Sequence, residues 1–351
     1  MSLVTDPDEV RAILADAAER GAALPAFCTE DERTTECILA GVLEKAEEMG
    51  VEDLPVIMSC TVNYPPRSQM KLYTFSGDSR LGLRAHFAHL QAMMCEVSPY
   101  RSLRVMPCLD HGFPWLDEHA LTDYVSDFAM VMCDASERPI EENMKMTAAY
   151  VKRMGGRVVV EGCVDEIVES GGTSAACEIT TVEDAERFVE MTGVDLVVAN
   201  LGTEHRATAA EKVYNSQRAR EISDAVGKIL VLHGTSCLKP EELAGLRTDG
   251  IIKVNIYTIL AQLGGQAVAA HVLRDLGNMF TEKELKSLAG EGLIGDACFE
   301  DEYVQRCCDG TLSAKLNNVA EAARRDVWVE RVKKEIRFYL DQFGYDEYAK
   351  R

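Results

Sequence analysis

Short, near-continuous apolar runs at 24–28, 55–60, 104–109, 128–133, 157–162, 194–200, 228–232 and 250–255 punctuate the chain. They lack the apolar–polar alternation of a sheet with one wet face, which predicts parallel strands covered on both sides. Between them lie stretches with helical period, among them 32–49, 141–154 and 182–192. Thr180 or Thr181 is placed to cap the last of these, and the acidic residues behind it suit a first helical turn. Strands alternating with helices eight times predict an α/β fold, a (β/α)8 TIM barrel over residues 1–277. The rival, a doubly wound open sheet, lacks its Gly-x-Gly-x-x-Gly turn after the first run.

Two stretches exceed a minimal barrel. The connection 61–79, with Pro65-Pro66, follows the second strand, where a barrel builds the rim of its active site. Residues 278–323 are mixed in character and precede an amphipathic helix near 327–343. We read 278–351 as a C-terminal helical extension that packs on the barrel or on a partner subunit, which predicts a homodimer or homotetramer.

Composition narrows the partners. Of 351 residues, 58 are acidic and 37 basic, for a net charge of -21. So acidic a chain repels nucleic acid and anionic membranes, so neither is expected as a partner. The start of the chain lacks a basic-then-apolar leader, and no apolar run reaches the roughly 18 residues of a membrane span. Twelve cysteines are scattered without a Cys-x-x-Cys pair. Reduced thiols and a cytoplasmic location are therefore expected.

The chemistry lies where three apolar runs end. Leu109-Asp110-His111-Gly112, Gly202-Thr203-Glu204-His205 and Leu232-His233-Gly234 each put a histidine just past a strand. Parallel barrel strands converge at their C-terminal ends, so His111, His205 and His233 can share one metal ion. Three imidazoles with an open position describe a catalytic zinc site. The other histidines, His86, His89, His119 and His271, fall on helical stretches and read as surface or packing residues. Asp110 suits acid–base work beside a metal-polarised oxygen. Its alternative role is to orient an imidazole.

Taken together, these segments resemble the zinc-dependent class II fructose-bisphosphate and tagatose-bisphosphate aldolases, from about residue 24 to residue 270. Leu24-Pro25-Ala26-Phe27 resembles their first strand, and Leu109-Asp110-His111-Gly112 their Asp-His-Gly motif. Asp134-Ala135-Ser136, with Pro139, Glu141, Glu142 and Asn143, is similar to their Asp-Gly-Ser…Glu-Glu-Asn stretch. Gly202-Thr203-Glu204-His205, Leu232-His233-Gly234-Thr235-Ser236 and Asn255-Ile256-Tyr257-Thr258 follow in the family's order.

The resemblance implies zinc on His111, His205 and His233, with Asp110 handling the proton of the aldehyde-derived oxygen. It implies retro-aldol cleavage of a ketose phosphate or related anionic sugar or acid through an enediolate. Glu169, on the loop after the fifth strand, is the expected mover of a carbon-bound proton. Ser59, Gly234, Ser236, Asn255 and Thr258 are expected to bind substrate, together with Arg206 and Tyr257. One zinc ion is the expected cofactor, and a monovalent cation a secondary one. The alternatives are a metal-dependent isomerase or epimerase on the same scaffold, or a non-catalytic aldolase-like subunit.

The chain also departs from the family's pattern. Arg206, Thr235 and Tyr257 stand where the phosphate site uses Gly, Gly and Asp; Cys28 replaces an asparagine; and Glu-x-Glu is reduced to Glu161-Gly162-Cys163. The metal residues are kept while the substrate residues change, so fructose 1,6-bisphosphate itself is not the expected substrate. Arg206 offers a guanidinium fork for a carboxylate, sulfonate or phosphate, or else points outward to an acid such as Glu204.

Overall fold

A computed structural model describes residues 3–167, 179–203 and 214–350. Eight parallel strands close into a barrel in chain order: β1 (Leu24–Cys28), β2 (Pro55–Cys60), β3 (Arg104–Gly112), β4 (Met130–Cys133), β5 (Val159–Cys163), β6 (Leu196–Val198), β7 (Leu230–Leu232) and β8 (Ile251–Ile256). The closing pair sets Leu24 against Lys253 and Phe27 against Ile256. Every strand residue but Arg104 is buried, which explains the unalternating apolar runs: helices cover the outer face while side chains fill the interior.

The helices begin and end where local chemistry dictates. Asp31 accepts from the Thr34 amide at the start of Glu32–Met49, and Gly50, with φ 65°, takes the left-handed turn that ends it. Ile38, Leu39, Val42 and Ala46 of that helix face inward. Thr181, not Thr180, caps Val182–Thr192, accepting from the Asp184 amide. The helix Pro7–Arg20, capped by Asp6 and ended by Gly21, precedes the first strand and was not anticipated. His86 is a packing residue: fully buried against Tyr73, it is pushed down to about 3 by desolvation and stays neutral.

The chain divides into two compact units, Met1–Thr258 with Glu335–Arg351, and Ile259–Lys334. The first holds the barrel. In it Ile336, Tyr339, Leu340 and Phe343 are buried, with the Tyr339 ring edge-on to Phe27 at 6.5 Å. The second is helical, and includes Glu282–Gly290 and Asp301–Cys308. Its Leu285 and Cys308 are buried, and Gly264 lies so close to the Trp328 ring that a Cβ would come within 2.6 Å. Among the described residues, no helix is long and apolar enough to cross a membrane.

Candidate metal and active site

Consecutive strand residues normally point to opposite faces. Asp110 and His111 nevertheless both reach the barrel mouth, because β3 is irregular there. Leu109 pairs with Val131 and Gly112 with Cys133, so three steps on β3 match two on β4. This bulge carries one extra residue, and His111 takes φ 49°, a left-handed conformation costly for a residue with a Cβ. Gly112 completes it: a Cβ there would meet the Met132 carbonyl at 2.7 Å. Strain of this kind persists where surrounding structure enforces it, typically at functional sites.

The result is a buried cluster. Ligand atoms of Asp110, His111 and His233 all lie within 4.8 Å of one another. His111 Nε2 and His233 Nε2 stand 4.0 and 3.9 Å from Asp110 Oδ1. His111 Nδ1 meets Asp134 Oδ2 at 2.7 Å, which leaves Nε2 as the nitrogen facing Asp110. Asp134 is itself fixed by the Ser136 amide and hydroxyl. On the open face of His111 the Tyr64 ring stacks at 4.4 Å and 14°. His233 sits where β7 ends, its carbonyl accepting from the Thr203 hydroxyl at 2.7 Å.

Charge in the cluster favours a cation. Burial opposes a charged Asp110, but His111, His233 and Lys253 outweigh it and hold the carboxyl below its usual range. Burial likewise opposes imidazolium, yet Asp110 and Asp134 push His111 up to about 9. Two imidazole nitrogens converging beside a carboxylate, one imidazole braced by a second carboxylate, fit a divalent metal such as zinc. Replacing Asp134 with alanine is expected to weaken zinc binding about 10- to 100-fold, measured by competition with a chromophoric chelator.

Asp110 is held from two further strands. Asn255 Nδ2 donates to Asp110 Oδ1 at 2.9 Å from β8, and the Cys28 thiol reaches Oδ2 at 3.5 Å from β1. The Asn255 carbonyl oxygen accepts from the Thr235 hydroxyl. Ser236 keeps a buried hydroxyl with no hydrogen-bond partner among the described residues, which suits a group facing a ligand. Gly234, Ser236, Asn255, Tyr257 and Thr258 line the same pocket as Asp110, His111 and His233. Ser59 is fully buried on β2. His205, Arg206 and Glu169 lie outside the described residues.

Sequence reasoning missed a second set of side chains. Lys253 Nζ and Glu161 Oε2 pair at 2.7 Å in the barrel interior, both fully buried, and Glu161 Oε1 is 3.5 Å from His233 Nε2. Burial works against the ammonium, but Cys108, Glu161 and Asp110 outweigh it and hold Lys253 above its ordinary value. A lysine held protonated in an ion pair lacks the lone pair that a Schiff base needs, so the pairing with Glu161 suits a charge partner in the barrel interior. The hint in the sequence was a charged residue inside each apolar run, Glu161 in 157–162 and Lys253 in 250–255.

The match to known proteins follows the site. The profile of the class II fructose-bisphosphate aldolases covers residues 8–335. The chain belongs to this family. Among curated relatives, it is 31% identical over 219 residues to a 6-phospho-5-dehydro-2-deoxy-D-gluconate aldolase of Bacillus licheniformis, covering 62% of this chain and 68% of that one. It is 26% identical over 271 residues to YdjI of Escherichia coli K12, covering 74% and 90%. In fold it matches the crystal structure of the Campylobacter jejuni fructose-bisphosphate aldolase with TM-score 0.71 at 19% identity, over 97% and 95% of the two chains. The crystal structure of the Escherichia coli YdjI aldolase gives 0.63 at 21%, over 96% and 97%. Family and relatives together support an aldolase-type lyase.

Proposed function

We propose that this protein is a zinc-dependent aldolase that reversibly cleaves a ketose phosphate or a related anionic hydroxycarbonyl compound. The observation that carries the reading is the convergence of Asp110, His111 and His233 within 4.8 Å at the ends of β3 and β7. His111 and His233 are the ligands, with His205 as the third. Zinc, when bound, supplies a Lewis acid for the negative charge left beside a ketone when a carbon–carbon bond breaks.

The protein's own groups do the rest. Asp110, kept ionised and aimed by Asn255, takes the proton from the hydroxyl that becomes the aldehyde and returns it in the condensation direction. Ser236 and Gly234 border the ketone-side fragment, and Glu169 exchanges the carbon-bound proton. Tyr64 stacks on the His111 ring and fixes the plane in which Nε2 points.

The test is metal dependence coupled to product mass. Protein stripped with a chelator is expected to lose ketose cleavage and recover it with Zn2+, yielding two carbonyl fragments. Full turnover by metal-depleted protein would sink the reading. A product of unchanged mass would assign isomerisation instead.

A further inference from the structure

Among the described residues, Arg67 is the one lysine or arginine that lines this pocket. It lies on the long connection after β2, where the backbone is tied down by its own hydrogen bonds. The Arg67 amide donates to the Tyr64 carbonyl, the Thr61 hydroxyl donates to the Arg67 carbonyl, and Gln69 Oε1 accepts from the Thr61 amide. The guanidinium is held as firmly. Its Nε and Nη2 donate to the two oxygens of Glu30 at 2.7 and 2.6 Å. Tyr257 donates its hydroxyl to Glu30 Oε2 at 2.7 Å, and the guanidinium lies 5.9 Å from the Tyr257 ring centre.

The placement of Glu30 decides how this cluster works. Arg67 and Tyr257 line the pocket and Glu30 does not, so the carboxylate braces the arginine from behind. A guanidinium has five N–H donors, and Glu30 takes two of them. The Tyr257 hydroxyl is a further side-chain partner, and the donors left over sit on a side chain whose position is fixed before any ligand arrives. Fixing the fork in advance lowers the entropy cost of binding. Among the described lining residues Asp110 is the one carboxylate, and the whole chain carries -21. An anionic group on a small molecule therefore finds Arg67 as its local side-chain counter-charge among the described residues.

We propose that Arg67, positioned by Glu30 and Tyr257, is a specificity-determining residue that binds an anionic oxygen group of the substrate, a phosphate or a carboxylate. This rests on the metal-site reading above. Three small hydroxamates test it, sharing a head group that chelates zinc and differing in the tail: hydroxyl (glycolohydroxamate), phosphate (phosphoglycolohydroxamate) or carboxylate (malonomonohydroxamate). Each is titrated calorimetrically into the zinc-loaded protein and its variants.

At least one anionic tail is expected to bind the unaltered protein more tightly than the hydroxyl tail, and which one identifies the anion. Arg67→Met is expected to weaken that probe about 10- to 100-fold, the scale of a charged hydrogen bond, and to leave the hydroxyl probe unchanged. Arg67→Lys restores part of the loss for a phosphate and little for a carboxylate, because a lysine keeps the charge but not the fork. Glu30→Gln keeps the cation but loosens its brace, so it gives a smaller loss of the same probe. If all three probes bind but Arg67→Met leaves their ranking as it was, the assignment of Arg67 is overturned and the metal site stands. If no probe binds the zinc-loaded protein, the metal-site reading falls, and the inference falls with it.

Discussion

Asp110→Asn is expected to lower kcat by about 10²- to 10⁴-fold, the usual contribution of a positioned acid–base group, while zinc content stays at the level of the unaltered protein. The substitution is nearly isosteric. It keeps an oxygen for the Asn255 Nδ2 donor, so Asp110's place in the site is retained and only its ability to carry a proton is removed. KM for the ketose is expected to change much less than kcat, because the lost interaction belongs to the proton transfer. Metal analysis beside steady-state kinetics reads both parts. Activity within tenfold of the unaltered protein would remove Asp110 from the proton-transfer role, and loss of zinc along with activity would place it among the metal ligands.

The second large effect is on stability. Lys253→Met leaves Glu161 charged and without its partner in a fully buried position, which costs about 3–5 kcal/mol. The double change Glu161→Gln with Lys253→Met removes both charges and is expected to recover most of that loss. Denaturant unfolding of the three proteins, taken with equal slopes, measures the difference. A single Lys253→Met change that costs under 1 kcal/mol would mean that the interior admits enough water to solvate Glu161 alone.

How much was legible in the sequence can be judged strand by strand. The bounds of β1 and β2 coincide with the apolar runs at 24–28 and 55–60. The run 194–200 shortens to Leu196–Val198, because the flanking Val194, Ala199 and Asn200 are buried without extending the ladder. Periodicity reports burial, and burial extends past the hydrogen-bonded residues. The helices Glu32–Met49 and Val182–Thr192 have the expected ends because their caps are local. The final helix begins at Glu321, ahead of the expected 327.

In the site, His111 and His233 were visible because each follows an apolar run, although β3 itself continues through His111 to Gly112. What could not be read was direction. Alternation sends Asp110 and His111 to opposite faces, and only the bulge against β4 brings them together. Asp134, Glu30, Tyr64 and Arg67 owe their roles to loops that meet only once the barrel has closed. Glu169, His205 and Arg206, expected as proton mover, metal ligand and anion binder, fall outside the described residues.

The order in which strands leave the ribosome gives β8 a particular importance. It supplies Asn255 to Asp110, Lys253 to Glu161 and, one residue past its end, Tyr257 to Glu30. A nascent chain that has emerged only as far as β7 holds both described histidines of the cluster. In it Asp110 lacks its Asn255 donor, Glu161 its lysine and Glu30 its tyrosine. A chain ending before 251 therefore carries His111 and His233 without the β8 side chains that hold Asp110, Glu161 and Glu30.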